Sequence, residues 1–301
     1  MIKALFPVLL YFSAGYLSRK FRLFDENASQ VLIKFIIYIS FPALVIYNVY
    51  FLKFQWSFLW VLLSGWGVIL FSILVSFLIG KALKLNKPTL ASFIMMATFG
   101  NTSFLGFPYQ MAFLGEEGLR YAVVFDQFSS FLPVSLISPF ILTYGQDKGN
   151  FSVDIKRIIT FPPFVAIIFA FFIKNFYIPD FVLDSLKMIG MTVIPLALFS
   201  VGINLKFSSV KERIRDISAV IFIKMIFVPV LFVLLLHIIG VEINTQWQSA
   251  VIEIAMPPMV LASIFVIGAG LDKDLAVSAV GVGILASFIT VPFVFYLLKA
   301  L

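Results

Sequence analysis

The 301-residue chain has no cysteine, a single histidine and few charges, with only 12% of its residues ionic. The absence of cysteine excludes a disulfide framework, a thiolate metal site and a cysteine nucleophile. There is no GxxxxGK[ST] loop and no HExxH string, so neither a nucleotide-driven motor nor a zinc protease is encoded. No His/Asp cluster or Ser–His–Asp order is present either, and neither a catalytic residue nor a metal centre is assigned. What the chain has instead is apolar bulk: 61% hydrophobic residues, 37 Phe and a mean hydropathy of +1.07. Soluble domains are about half apolar and about a quarter charged. A water-soluble globule has too little polar surface to cover this composition. The 17% aromatic content is equally foreign to a disordered chain. The net charge of +7 is not pooled in a patch but spread in short clusters between apolar runs. That pattern points to lipid and topology rather than nucleic acid.

A membrane-crossing helix needs about 20 apolar residues. Ten such segments are predicted, at about 4–18, 28–52, 57–80, 89–112, 119–143, 158–174, 182–205, 217–240, 247–269 and 275–298. The runs are continuously apolar rather than alternating, which argues against a β-barrel. The expected fold is therefore all-α and integral to the membrane, with residues 1–301 as one membrane domain. The first span lacks a small-residue cleavage site and is read as a retained helix.

Orientation follows from Lys and Arg. One set of alternate loops holds 14 of the 22 cations and the other side, termini included, holds 5. The three remaining, Lys34, Lys187 and Lys224, lie inside spans. This asymmetry places both termini outside and the Tyr144–Arg157 loop in the cytoplasm of a plasma (bacterial inner) membrane. The chain's lack of cysteine gives single-Cys labelling a clean background. Asn150→Cys is expected to react with an impermeant thiol reagent only after permeabilisation; labelling from outside intact cells contradicts the topology.

An internal repeat is also legible. Lys34 precedes Pro42 by eight residues, as Lys187 precedes Pro195. An offset of 153 residues links both pairs and also relates Gly115 to Gly268 and Pro139 to Pro292. The halves run from about 1 to 143 and from about 158 to 301. Five spans per half is an odd number, so the second half enters the membrane inverted, as in many secondary transporters.

Polar residues inside the spans mark the candidate site. The fourth span reads ATFGNTSFLGFPYQ and carries Asn101, Thr102, Ser103 and Pro108; the ninth reads VIEIAMPPMVLAS, with Glu253 before Pro257 and Pro258. Proline removes a donor and clashes with the preceding turn, so both spans are expected to break. Such breaks persist in a membrane where they line a cavity, and helix ends there bind ions. Asn101, Thr102, Ser103, Pro108, Pro257 and Pro258 are the expected substrate-binding residues. Ionisable groups at membrane depth are costly and therefore functional candidates. Glu253 and Asp126 are the candidates for carrying a proton or holding a cation. For Glu253 the alternative is a hydrated outer vestibule near Trp247; for Asp126 it is hydration or pairing with Arg120. Lys34 and Lys187, with Pro42 and Pro195, are read as a structural or gating set, with snorkelling as the alternative. Lys224, two turns from the cytoplasmic end of its span, is expected to snorkel. His237 is read as an interface residue.

The string TFGNTSFLGFPYQMAFLG resembles the fourth-helix signature of the auxin efflux carrier family, at Asn101, Thr102, Gly106, Pro108 and Gly115. The FPAL text at Pro42, the IPLALFSVG text at Pro195 and the LPVSLISP segment ending at Pro139 resemble family members as well. The resemblance covers essentially the whole chain. It implies ten helices in two inverted five-helix repeats. Helices one, two, six and seven would form a scaffold, and three to five with eight to ten a transport domain. Helices four and nine would be unwound where they cross. It further implies a secondary transporter of small organic acids working by alternating access, with Asn101 contacting the substrate carboxylate. No organic cofactor is expected. The acid beside the proline pair leaves Na⁺ coupling, H⁺ coupling or neither open, with a Na⁺ site near Glu253, Asn101 and Thr102 as one option. The alternatives are a sodium-coupled symporter similar to the bile-acid symporters, a channel of the same fold, and a membrane enzyme using Asp126 and Glu253. The partners expected are the acid and membrane lipid, with a homodimer as one open oligomeric state.

Overall fold

The computed structural model describes residues 2–24, 26–52, 55–146, 160, 162–204 and 211–300. The loop expected in the cytoplasm falls mostly outside these residues. The described chain is built of helices. Its elements are α1 (Ile2–Lys20), α2 (Glu26–Phe35), α3 (Phe41–Phe51), α4 (Ser57–Ala82), α5 (Lys87–Thr98), α6 (Phe107–Asp126), α7 (Leu132–Gln146), α8 (Pro162–Ile173), α9 (Asp180–Met191), α10 (Val193–Asn204), α11 (Ile214–Phe222), α12 (Val228–Ile238), α13 (Thr245–Ile254), α14 (Val260–Gly268) and α15 (Lys273–Ala300). Among the described residues, six helical runs are long and apolar enough to cross a membrane: Asn27–Phe51, Ser57–Ala82, Thr102–Gln146, Asp180–Ser200, Ile214–Ile238 and Lys273–Ala300. The run Thr102–Gln146 takes in the end of the expected fourth span and all of the fifth. Gly115 divides it with a φ of 67°, a left-handed conformation that glycine adopts without a Cβ penalty.

Four π-helical turns interrupt these runs, at Ile36–Ser40, Thr102–Gly106, Gln127–Phe131 and Ile223–Phe227. Each is followed, after one intervening residue, by a proline: Pro42, Pro108, Pro133 and Pro229. Proline lacks the N–H for an i→i−4 bond, and its ring crowds the carbonyl four residues back. Widening the turn by one residue relieves both problems. The bonds show the widening directly, since Phe41 N–H reaches the Ile36 carbonyl and Val228 N–H reaches that of Ile223, five residues back in each case. Pro108 therefore opens α6 and does not itself break the fourth span. The break lies earlier, at Phe99–Asn101.

The chain divides into two compact units. The first comprises residues 1–55, 103–127 and 154–205, the second residues 56–102, 128–153 and 206–301. The segment 103–127 falls with the first unit, whereas the resemblance places all of the fourth and fifth helices in the transport domain. In the first unit α1 packs on α10, and α3 packs on α6, α8 and α9. Glycines set these distances: a Cβ on Gly190 would lie 2.7 Å from the Leu44 Cα. The break between α9 and α10 is held by Thr192, whose hydroxyl lies 2.7 Å from that of Ser40 in the π turn before Pro42. In the second unit α5 packs against α4, α7 and α15. Asp272 joins that unit's polar end, accepting from Thr89 Oγ1 at 2.8 Å, the Leu275 N–H at 3.1 Å and Arg213 at 2.7 Å.

The register that aligns Pro42 with Pro195 does not hold along the whole chain. Asn86 caps α5 by accepting from the Thr89 N–H, and Asn244 caps α13 by accepting from Gln246 and Trp247. The two asparagines play the same part in the two halves, yet they stand five positions further apart than the two prolines do.

Candidate functional site

α5 and α13 both stop within the apolar core of the second unit, and the chain beyond each is extended. There the two segments form an antiparallel bridge between Gly100 and Pro258. Asn101 N–H donates to the Pro257 carbonyl at 2.8 Å, and Met259 N–H donates to the Phe99 carbonyl at 2.9 Å. Gly100 and Pro258 have the same separation along the chain as the capping asparagines Asn86 and Asn244, and that shift carries one hydrogen bond onto the other. The pairing explains how backbone can leave the helix at this depth: the N–H and C=O groups freed by two broken helices satisfy each other. Beyond the bridge α14 begins at Val260, with Met259 as its cap residue.

The bridge brings together Asn101, Pro257 and Pro258 from the expected site. Asn101 is 3% exposed, and its Nδ2 is buried with no hydrogen-bond partner among the described residues. The same holds for Oγ1 of Thr98, the last residue of α5. Thr102 is buried as well, and its hydroxyl donates to Ser130 Oγ at 2.9 Å. Ser103 is partly exposed in the π turn that follows. Pro108 lies at the start of α6, outside the bridge.

Of the candidate coupling acids, Glu253 is 1% exposed, near the end of α13. It is enclosed by the second unit rather than facing a hydrated vestibule. Asp126 is 2% exposed and accepts from Gln127 Nε2 at 2.6 Å. Arg120, the cation considered for Asp126, lies 3.6 Å from Glu116 and over the Phe51 ring. Lys187 also meets Glu116, at 2.6 Å, and lies over the Tyr47 ring, while Lys34 is exposed on α2. The two lysines that match in sequence thus occupy different settings. Pro42 and Pro195 share one, since each opens a helix just after a break.

Lys224 corrects the reading of the sequence most sharply. It does not snorkel: it is 5% exposed, and its Nζ donates to the Ile254 carbonyl at 2.7 Å. Its position two turns from a span end is compatible with either direction. The available signal was Gly100, the small residue that leaves room for an incoming side chain.

A family model described as "Membrane transport protein" matches residues 1–295. An uncharacterized transporter of Methanocaldococcus jannaschii is 30% identical over 278 residues, covering 86% of this chain and 87% of its own. A second uncharacterized transporter, from Methanothermobacter thermautotrophicus, is 22% identical over 288 residues, covering 95% and 94%. With a strongly apolar chain and a match over nearly its whole length, the protein belongs to the membrane transport protein family, that of the auxin efflux carriers.

Proposed function

We propose that the protein is a secondary active transporter that moves a small organic anion across the plasma membrane by alternating access. The observation that carries this reading is the bridge at Gly100 and Pro258. Two helices are broken at one point, and buried donors stand beside the break. Asn101 Nδ2 and Thr98 Oγ1 offer hydrogen bonds to carboxylate oxygens. The N-terminal end of α14, which starts just past the bridge, adds partial positive charge. Thr102, Ser103, Pro257 and Pro258 complete the proposed binding segment, and Glu253 and Asp126 are the buried carboxylates to which a cation or proton would be linked. The reading includes ten spans in two inverted repeats. The symmetry of the bridge supports it, as do the matched asparagine caps. The unit that carries the bridge would be the moving one, and the unit containing α1, α3 and α10 the scaffold.

Asn101→Ala tests the site. Losing a donor to a charged carboxylate is expected to weaken binding by about 1–3 kcal/mol, roughly five- to 150-fold. A thermal-shift titration of the purified protein with malonate, malate and aromatic acetic acids measures it, because a ligand that binds only the native state raises apparent stability. Parent-like affinity in a variant that melts like the parent removes Asn101 from the site. Saturable flux with counterflow in proteoliposomes separates a carrier from a channel.

A further inference from the structure

Lys224 is buried where the backbone is already negative. α5 and α13 both end at the bridge, and each helix C-terminus carries about half a negative charge on its unsatisfied carbonyls. Glu253 adds a full carboxylate one residue before Ile254. Uncompensated charge of this kind is expensive at membrane depth. The Lys224 side chain answers it from the π turn Ile223–Phe227. Its Nζ binds the last carbonyl of α13 at 2.7 Å, and Glu253 borders the same point, its carbonyl oxygen 3.5 Å from where a Cβ on Gly100 would lie. Gly100 admits it, since a Cβ there would lie 3.1 Å from Nζ and 3.2 Å from Cε. The register of the bridge matches Lys224 to Trp66 in the first half. The Trp66 Nε1 instead donates to the Phe128 carbonyl at 2.9 Å. The cation therefore comes from one half of the chain only.

We propose that Lys224 is the resident cation of the bridge. Its ammonium offsets the Glu253 carboxylate and donates to the end of α13, and so takes the place that a diffusible coupling cation would fill. A Na⁺ ion at this point would need a cage of oxygen ligands; a tethered ammonium supplies the charge and three donors without one. The Glu253 charge then needs no Na⁺, and Asn101 Nδ2 and Thr98 Oγ1 stay available to an anion. Only this last clause rests on the organic-anion reading.

The test compares melting temperatures of the purified full-length protein in choline chloride, sodium chloride and ethylammonium chloride. The parent is expected to melt at the same temperature in all three. Lys224→Ala is expected to melt lower in choline and to recover at least half of the loss in ethylammonium or sodium, which enter the space it opens. Lys224→Met, which fills that space without charge, is expected to melt lower and not to recover. Stabilisation of the parent by Na⁺ over choline overturns the proposal. So does a Lys224→Ala protein that melts like the parent or responds to neither cation. If Lys224→Ala does not accumulate, Lys224→Arg and Lys224→Gln decide. A folded Arg variant beside a destabilised Gln variant supports the resident charge, and equal stability of the two overturns it. None of these readouts involves substrate. Failure of malonate and the other acids to bind the parent would remove the anion reading and leave this proposal standing.

Discussion

Gly202→Leu is expected to unfold the first unit, or to keep it from accumulating. α1 and α10 approach each other backbone to backbone. A Cβ on Gly202 would lie 2.2 Å from the Phe12 carbonyl oxygen, and one on Gly15 would lie 2.1 Å from that of Phe199. Neither contact can be relieved by turning a side chain, because both obstructing atoms belong to the facing helix backbone. In lipid, helices gain most from such close packing of small residues, since burial of apolar surface offers little between them. Even Gly202→Ala must push the helices apart, at about 1–3 kcal/mol for overpacking of a tight contact, and a leucine adds three carbons to that displacement. Gly67→Ala is the control. No atom lies within 4 Å of a Cβ at that position in α4, so the change should be neutral or stabilise by up to about 1 kcal/mol through helix propensity. Thermal unfolding in detergent, read by loss of monodisperse protein, measures all three. A Gly202→Leu protein that melts with the parent would show that α1 and α10 do not approach in this way.

Much of this architecture was legible because lipid imposes simple rules on sequence. Apolar run length located the six helical runs long enough to cross a membrane, and proline follows each π turn among the described residues. What proline could not reveal was which break leaves the helix altogether. Pro108 is accommodated by a widened turn, whereas the extended chain at Phe99–Asn101 has no proline of its own and depends on Pro257 and Met259 in the other half of the chain. A partner that distant leaves no local trace. The repeat register suffered for a related reason. One offset aligns Pro42 with Pro195 and Pro139 with Pro292, but the caps Asn86 and Asn244 and the bridge residues Gly100 and Pro258 need an offset five positions longer. The second half therefore gains five residues between Pro195 and Asn244, and the first half gains five between Asn101 and Pro139, the stretch that contains Gly115 and its positive φ. Lys224 was missed because a lysine near a span end can reach outward or inward with equal ease. Only the space left by Gly100 and the free carbonyl of Ile254 decide between them.

Glu253→Gln is expected to tighten anion binding and slow release. Glu253 and Lys224 are both buried beside the bridge, so the glutamate opposes any anion that binds there while the lysine favours it. Removing the carboxylate leaves the ammonium opposed only by the helix ends. Two unit charges about 8 Å apart at an effective dielectric of ~20 interact by about 2 kcal/mol, which corresponds to roughly thirtyfold in affinity. The sign discriminates between mechanisms. If Glu253 held Na⁺ or carried the proton of the cycle, the glutamine variant would bind the anion more weakly and lose the parent's response to that ion. If Lys224 is the resident cation, the variant binds more tightly and its dependence on Na⁺ and pH stays that of the parent. Substrate titration followed by thermal shift gives the affinity, and efflux from preloaded proteoliposomes gives the release rate. Glutamine preserves the shape of the side chain, so a change in either quantity reports the charge. Weaker binding together with a lost ion response would return Glu253 to the role of coupling group.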